Sequence, residues 1–322
     1  MLLKYTIKFL KNTYNIKLNH SIRKVSNQRK QFQEVTIKVP WGTISGKFWG
    51  STDVQPIIAV HGWQDNAASF DPLAATLPKD ISLLAIDLPG HGHSSWLPNG
   101  LMYNTLIYIQ ALHRIKDYYG LDQFGLIGHS LGGVITFCYT SLFPNNAKFA
   151  IALDYFKYPS LNLTKNFSTF NQEWSNFFKY EKLQTRVPSY TKKELIDKWI
   201  KSSSNSLNKT SCEILMKRGV RKNPDDTVFF CRDPRIKFFL NDIGFSHDHF
   251  LRGLAHQVSC PFMIIKGENS HFNEPKEFYY NTLKIVKQHS QDFQFYTTPG
   301  THHFHMDNAK QIAQFINPFI LK

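Results

Sequence analysis

The chain has 322 residues, of which 42% are hydrophobic and 19% charged, and a formal net charge of +14. That length allows one large α/β domain or a core with an insertion, and the balance excludes a disordered chain. No apolar run approaches the ~20 residues that span a bilayer, and Cys138, Cys212, Cys231 and Cys260 are scattered without a Cys-x-x-Cys pair, unlike a disulfide frame or metal site.

The charge is uneven. Residues 1–33 hold eight Lys or Arg and no acid, and the remainder of the chain nets only +6. The basicity is therefore largely an N-terminal feature and does not argue for a nucleic-acid partner. This acid-free segment, rich in Lys, Arg, Asn and Ser, has no long apolar stretch, which fits a mitochondrial presequence better than a secretory signal. A cytoplasmic or peroxisomal location is the alternative.

From residue 34 the elements follow in order. Glu34 to Pro40 alternates as a strand, Trp41-Gly42 turns, and Thr43 to Gly50 returns, giving a hairpin. Pro56–Val60 reads as a buried strand running into His61-Gly62-Trp63, and a helix is expected over 69–77. Ile81 to Ile86 is the next strand, ending in Asp87-Leu-Pro-Gly-His-Gly-His-Ser94. Leu106, Ile109, Leu112, Ile115 and Tyr119 share one face of a helix over 105–119. A further strand leads to Gly128-His-Ser130-Leu-Gly132 and an apolar helix that Pro144 closes. Lys148 to Asp154 is again strand. Between 155 and 256 the alternation stops; this polar, helical stretch with interspersed Trp and Phe reads as an inserted cap. Strands resume at Pro261–Ile265 and Phe293–Thr297, with a helix over about 274–289 between them. A terminal helix carries Ile312, Phe315, Ile316, Phe319 and Ile320. A hairpin plus six buried strands alternating with helices predicts an α/β fold, a mostly parallel eight-stranded sheet covered on both faces.

Gly-x-Ser-x-Gly between a strand and a helix is the nucleophile elbow. The turn is sharp and the serine strained, so side chains at Gly128 and Gly132 would collide. Ser130 is thus the expected nucleophile. A hydroxyl needs a base to take its proton, and a histidine after the last strand fits the order Ser, acid, His. His302 best fits a loop that follows Pro299-Gly300; His303 is the alternative base, and His305 a contact within the loop. A metal site is the other reading of this cluster, but no matching carboxylate or cysteine set accompanies it. The oxyanion hole should use the backbone N–H groups of Leu131 and Trp63, with His61 bracing the loop. The acid is less plain, because Gly267-Glu268-Asn269-Ser270 lacks the aspartate of the usual Gly-Glu-x-Asp. Asp154, at the end of the strand after the elbow helix, is the expected acid, and Glu268 the alternative.

With these residues assembled, the chain resembles the α/β-hydrolase superfamily and, within it, the serine hydrolase-like (kraken-like) proteins. The resemblance rests on Pro40-Trp-Gly-x-Ile-Ser-Gly-Lys-x-Trp-Gly50, His61-Gly-Trp-Gln-Asp-Asn66, Asp87-Leu-Pro-Gly-His-Gly-His-Ser-Ser95 and Gly128-His-Ser-Leu-Gly-Gly133. It continues in Cys212-Glu-Ile-Leu-Met-Lys-Arg-Gly219, Arg232-Asp-Pro-Arg235 and Pro299-Gly-Thr-His-His-Phe-His-Met306. It implies a serine hydrolase; from the residues themselves the expected reaction is cofactor-independent, metal-free cleavage of a small-molecule ester, thioester or related acyl compound. A weakly active scaffold that senses a small ligand is the alternative. Ser130 separates the chain from branches of this fold that use an aspartate nucleophile.

Overall fold

A computed structural model of the chain describes residues 31–160, 163–182, 187–237 and 246–322. The basic N-terminal segment therefore lies almost wholly outside the described residues. The chain enters as β1 (Phe32–Val39), two residues ahead of the expected start, and turns back at Gly42 into β2 (Gly42–Trp49). Then come β3 (Pro56–Val60), α1 (Asp71–Ala74), β4 (Ser82–Ile86), α2 (Thr105–Tyr118), β5 (Phe124–His129), α3 (Leu131–Leu142) and β6 (Ala147–Leu153). The inserted stretch supplies α4 (Leu163–Lys182), α5 (Lys192–Ser202), α6 (Lys209–Gly219), β7 (Val220–Lys222), β8 (Val228–Phe230) and α7 (Asp248–Ala255). β9 (Phe262–Gly267), α8 (Lys276–His289), β10 (Phe293–Thr298), α9 (Phe304–Asp307) and α10 (Ala309–Ile320) complete the chain.

Eight strands form one sheet in the order β1-β2-β4-β3-β5-β6-β9-β10. Only β2 opposes its neighbours; every other adjacent pair is parallel. Successive strand residues face opposite sides, and two cores follow. Ile58, Val60, Leu84, Leu126 and Ile264 meet α2, α3, α7 and α8 on one face. Ile57, Ala59, Leu83, Ile127 and Ile265 meet α1 and α10 on the other. A sheet buried on both faces explains why its strands read as continuous apolar runs.

Two local expectations give way. The helix expected over 69–77 is a 3₁₀ turn, Ala67–Phe70, followed by the single turn α1. Asn66 caps that turn through Ala68 N–H, and Pro78 prevents continuation. The inserted stretch also contains the hairpin β7–β8, whose three-residue strands are too short to show a period. Leu195, Ile196, Trp199, Leu215 and Val228 make a small core of their own, which meets the main body at Met306. Leu251, Leu254 and Ala255 of α7 join the main core instead. Among the described residues no helix is long and apolar enough to cross a membrane.

Candidate active site

The parallel strands all point their C-terminal ends the same way, so the loops leaving β3, β5, β6, β9 and β10 collect at one edge. Trp63, Ser130, Asp154, Glu268 and His302 each follow one of these strands.

Ser130 has φ 53° and ψ −117° between β5 and α3. Its N–H donates to Leu153 O at 3.0 Å, which ties the turn to β6. The glycines are required by close approach: a Cβ on Gly128 would run into the Gly132 carbonyl, and one on Gly132 into the Val60 carbonyl. The elbow is therefore wedged against β3, the strand that leads into the Trp63 loop. Ser130 and Leu131, with Trp63, line a cavity of about 920 Å³ under the inserted stretch, and His302 and His303 line it from the opposite loop. The Trp63 and Leu131 N–H groups have no backbone partner among the described residues. Neither does the Ser130 hydroxyl bond to another described side chain.

His302 meets a carboxylate. Its Nδ1 hydrogen-bonds to Asp154 Oδ2. Asp154 is fully buried, sits at φ 74°, and accepts from Lys266 Nζ at 2.7 Å, Ser270 Oγ at 2.6 Å and Gly267 N at 3.3 Å. Burial pushes its carboxyl up, but His302 and Lys266 outweigh that and hold it below the usual carboxylate range. Glu268 stands apart, exposed to solvent and outside the cavity lining. Ser270, where the usual pattern would have its aspartate, donates to Asp154 instead.

His303 is engaged elsewhere. Ser206 Oγ donates to Ser203 O at 2.7 Å and so accepts from His303 Nδ1 at 2.7 Å. His303 Nε2 faces Asp65 Oδ2 at 3.4 Å. His61 is buried: its Nδ1 donates to Gly62 O at 2.7 Å and its Nε2 accepts from Leu88 N at 3.0 Å, which braces the loop after β3.

Asp65 and His129 were not singled out by sequence reasoning. His129, buried at the elbow, donates from Nε2 to the His302 carbonyl at 2.9 Å, because a carbonyl can only accept. Its Nδ1 lies 3.5 Å from Asp65 Oδ2. Asp65 thus lies where three pieces meet: its own loop after β3, the elbow, and the loop after β10. Burial raises its carboxyl, and His303 and His129 more than offset this, keeping it well below the ordinary range. His305 packs its ring 3.9 Å from that of His129, and burial drives its pKa well down. The available signal was the polar run Gln64-Asp65-Asn66 directly after a buried strand, where an acid has to be paired.

One nitrogen each of His129, His302 and His303 lies within 4.8 Å of the others, so by spacing the trio could hold a metal ion. Their bonds argue against a ready-made ligand set: Asp154, the His302 carbonyl and Ser206 each already engage one of these rings. What the arrangement can do chemically is take a proton at the outer nitrogen of His302 and hold the resulting charge against Asp154.

A family model described as the α/β hydrolase fold matches residues 55–309. A probable serine hydrolase of Drosophila melanogaster is 36% identical over 90% of this chain and 88% of its own length. Human serine hydrolase-like protein 2 is 30% identical, over 89% of this chain and 93% of its own. Among solved structures, the thioesterase domain from the curacin biosynthetic pathway superposes with a TM-score of 0.74 at 20% identity, covering 89% of this chain and 99% of that one. The match of sheet order, elbow and nearly full-length relatives leads to one conclusion: the chain belongs to the α/β-hydrolase fold family, alongside the serine hydrolase-like proteins.

Proposed function

We propose that the protein is a serine hydrolase that cleaves a carboxylic ester, thioester or related acyl bond through an acyl-enzyme on Ser130. In this reading Ser130 Oγ attacks the carbonyl carbon while His302 Nε2 takes its proton. The Leu131 and Trp63 N–H groups stabilise the oxygen as it gains charge. His302 then returns the proton to the leaving group, and water, activated by the same nitrogen, releases the acid. Asp154 keeps His302 in the required tautomer and balances its charge. The inserted stretch acts as a cap that shields the acyl group from water. The first 33 residues, on composition, would direct the chain to mitochondria.

The observation that carries the reading is the buried Asp154 carboxylate on His302 Nδ1, in a cavity shared with an elbow serine. The second reading, a weakly active ligand sensor, draws on the unbonded Ser130 hydroxyl; in the hydrolase reading that bond tightens when substrate enters. A fluorophosphonate probe separates them. The hydrolase labels, Ser130→Ala does not, and a panel of esters and thioesters of varying chain length is turned over. Labelling without turnover across that panel would favour the sensor, and no labelling would end the hydrolase proposal.

A further inference from the structure

The cavity above Ser130 is unbalanced in charge. Lys157, Lys198, Arg232 and Lys237 line it, against Asp65 as the one carboxylate among the described lining residues. Asp65 lies 3.5 Å from His129 Nδ1 and 3.4 Å from His303 Nε2, and Lys157 pairs with Glu274 at 2.6 Å. Lys198, Arg232 and Lys237 have no carboxylate within ion-pair distance among the described residues.

Arg232 is the telling one, because the same stretch contains two arginines treated differently. Arg235 is fully buried and pairs with Asp233 at 2.8 Å. Arg218 is buried between Asp87 at 2.7 Å and Glu34 at 2.6 Å. Where the inserted stretch buries a guanidinium fully it supplies an acid, as the cost of an unpaired buried charge requires. Arg232 is half-buried, lies 3.8 Å from the centre of the Phe230 ring, and gives one long hydrogen bond, 3.5 Å, to Gln64 O. Most of its five donors are left for something else. Burial lowers its pKa to about 10, with Asp65 as the largest opposing influence. Lys237 is lowered too, by burial and then by repulsion from Arg232 and Lys198, so the three cations feel one another across the same space. The carbonyl that Arg232 touches belongs to the residue after Trp63, beside the proposed oxyanion site.

We propose that the ligand of this cavity carries an anionic group, a carboxylate or a phosphate, that pairs with the Arg232 guanidinium and faces Lys198 and Lys237 at the mouth. The pairing itself stands on the cavity's charges; that the same ligand presents its acyl carbon to Ser130 rests on the hydrolase reading. A planar fork suits either anion, since both can accept two parallel N–H bonds.

Binding tests this without turnover. The full-length chain carrying Ser130→Ala is titrated calorimetrically with monoanilides of linear dicarboxylic acids, and with the matching fatty-acid anilides that end in a methyl group. A third series ends in a phosphonate and tells the two anions apart. The expected result is that one charged series binds at least about tenfold tighter than its neutral match, as a charge-assisted bidentate pair allows. Arg232→Gln should remove most of that preference and leave the neutral ligand's affinity unchanged, while Arg232→Lys keeps part of it. Equal affinity for charged and neutral series overturns the proposal. So does a loss in Arg232→Gln that falls on both series alike, which would mean that Arg232 only packs. If Arg232→Gln does not fold, the double variant Lys198→Gln/Lys237→Gln, at two exposed positions, should still weaken the charged series selectively; no selective weakening overturns the proposal. Failure of the fluorophosphonate test does not affect this measurement, and failure here leaves that test standing.

Discussion

In the proposed mechanism Asp154 fills the acid's role from a different strand than the Gly-Glu-x-Asp pattern would use, and the reason is local. With serine at position 270, the loop after β9 carries as carboxylates only Glu268, which is exposed and outside the cavity lining, and Glu274, which pairs with Lys157. Ser270 turns its hydroxyl onto Asp154, and Lys266 supplies a cation from β9 itself. Replacing Asp154 by Asn should therefore leave His302 without its orienting charge and lower kcat by up to ~10⁴, whereas Glu268→Gln should leave it unchanged; steady-state ester hydrolysis reads both. The carboxyl also has a stability signature. Its pKa is depressed in the folded state, so its contribution is complete above the unfolded value of ~3.9 and is lost as pH falls through the lowered folded one. The stability gap between wild type and Asp154→Asn should be present at about pH 5 and be lost below about 4, as urea melts at stepped pH would measure. Ser130, Asp154 and His302 could be read in sequence because each follows a recognisable strand. Asp65 was not, although it stands in a polar run that follows a buried strand, because the histidines beside it, His129 and His303, lie far along the chain.

The elbow is the element on which these residues depend, and its geometry is set by backbone contact. A Cβ at Gly132 would overlap the Val60 carbonyl, which belongs to β3 and cannot swing aside as a flexible side chain does. Gly132→Ala should cost at least the ~1–3 kcal/mol of an overpacked core, seen as a shifted denaturation midpoint, and should abolish fluorophosphonate labelling. Gly100→Ala is the control: φ is +82° there but no atom lies within 4 Å, so only backbone strain of ~1–2 kcal/mol applies and labelling should persist. Elements with a long period were legible, and α2 and the sheet strands agree with their expected ranges within a residue or two. The single-turn α1 and the hairpin β7–β8 were not, since caps, prolines and tertiary pairing decide elements that short.

At the scale of the molecule, polar clasps fasten the inserted stretch to the sheet edge alongside the apolar packing of α7. Arg235 is the largest. It pairs with Asp233 and donates to the carbonyls of Leu97 at 2.5 Å, Pro98 at 2.9 Å and Leu101 at 3.1 Å, and Tyr103 OH donates to the same Asp233 at 2.8 Å. Beside it, Trp96 Nε1 donates to Cys231 O at 3.1 Å and Trp63 Nε1 to Ile236 O at 2.7 Å. The last bond joins the clasp to the loop whose backbone is proposed to hold the oxyanion. Arg235→Ala would strand Asp233 as a buried charge, so it should cost about 3–5 kcal/mol, and a further Asp233→Asn should recover part of that loss. Urea denaturation of both variants measures the stability term. The clasp also bears on activity: because Ile236 holds Trp63, Arg235→Ala should lower kcat as well as stability at temperatures where the chain is still folded. Ester turnover that stays at the wild-type rate in the folded variant would mean that the loop after β3 holds its shape without the inserted stretch.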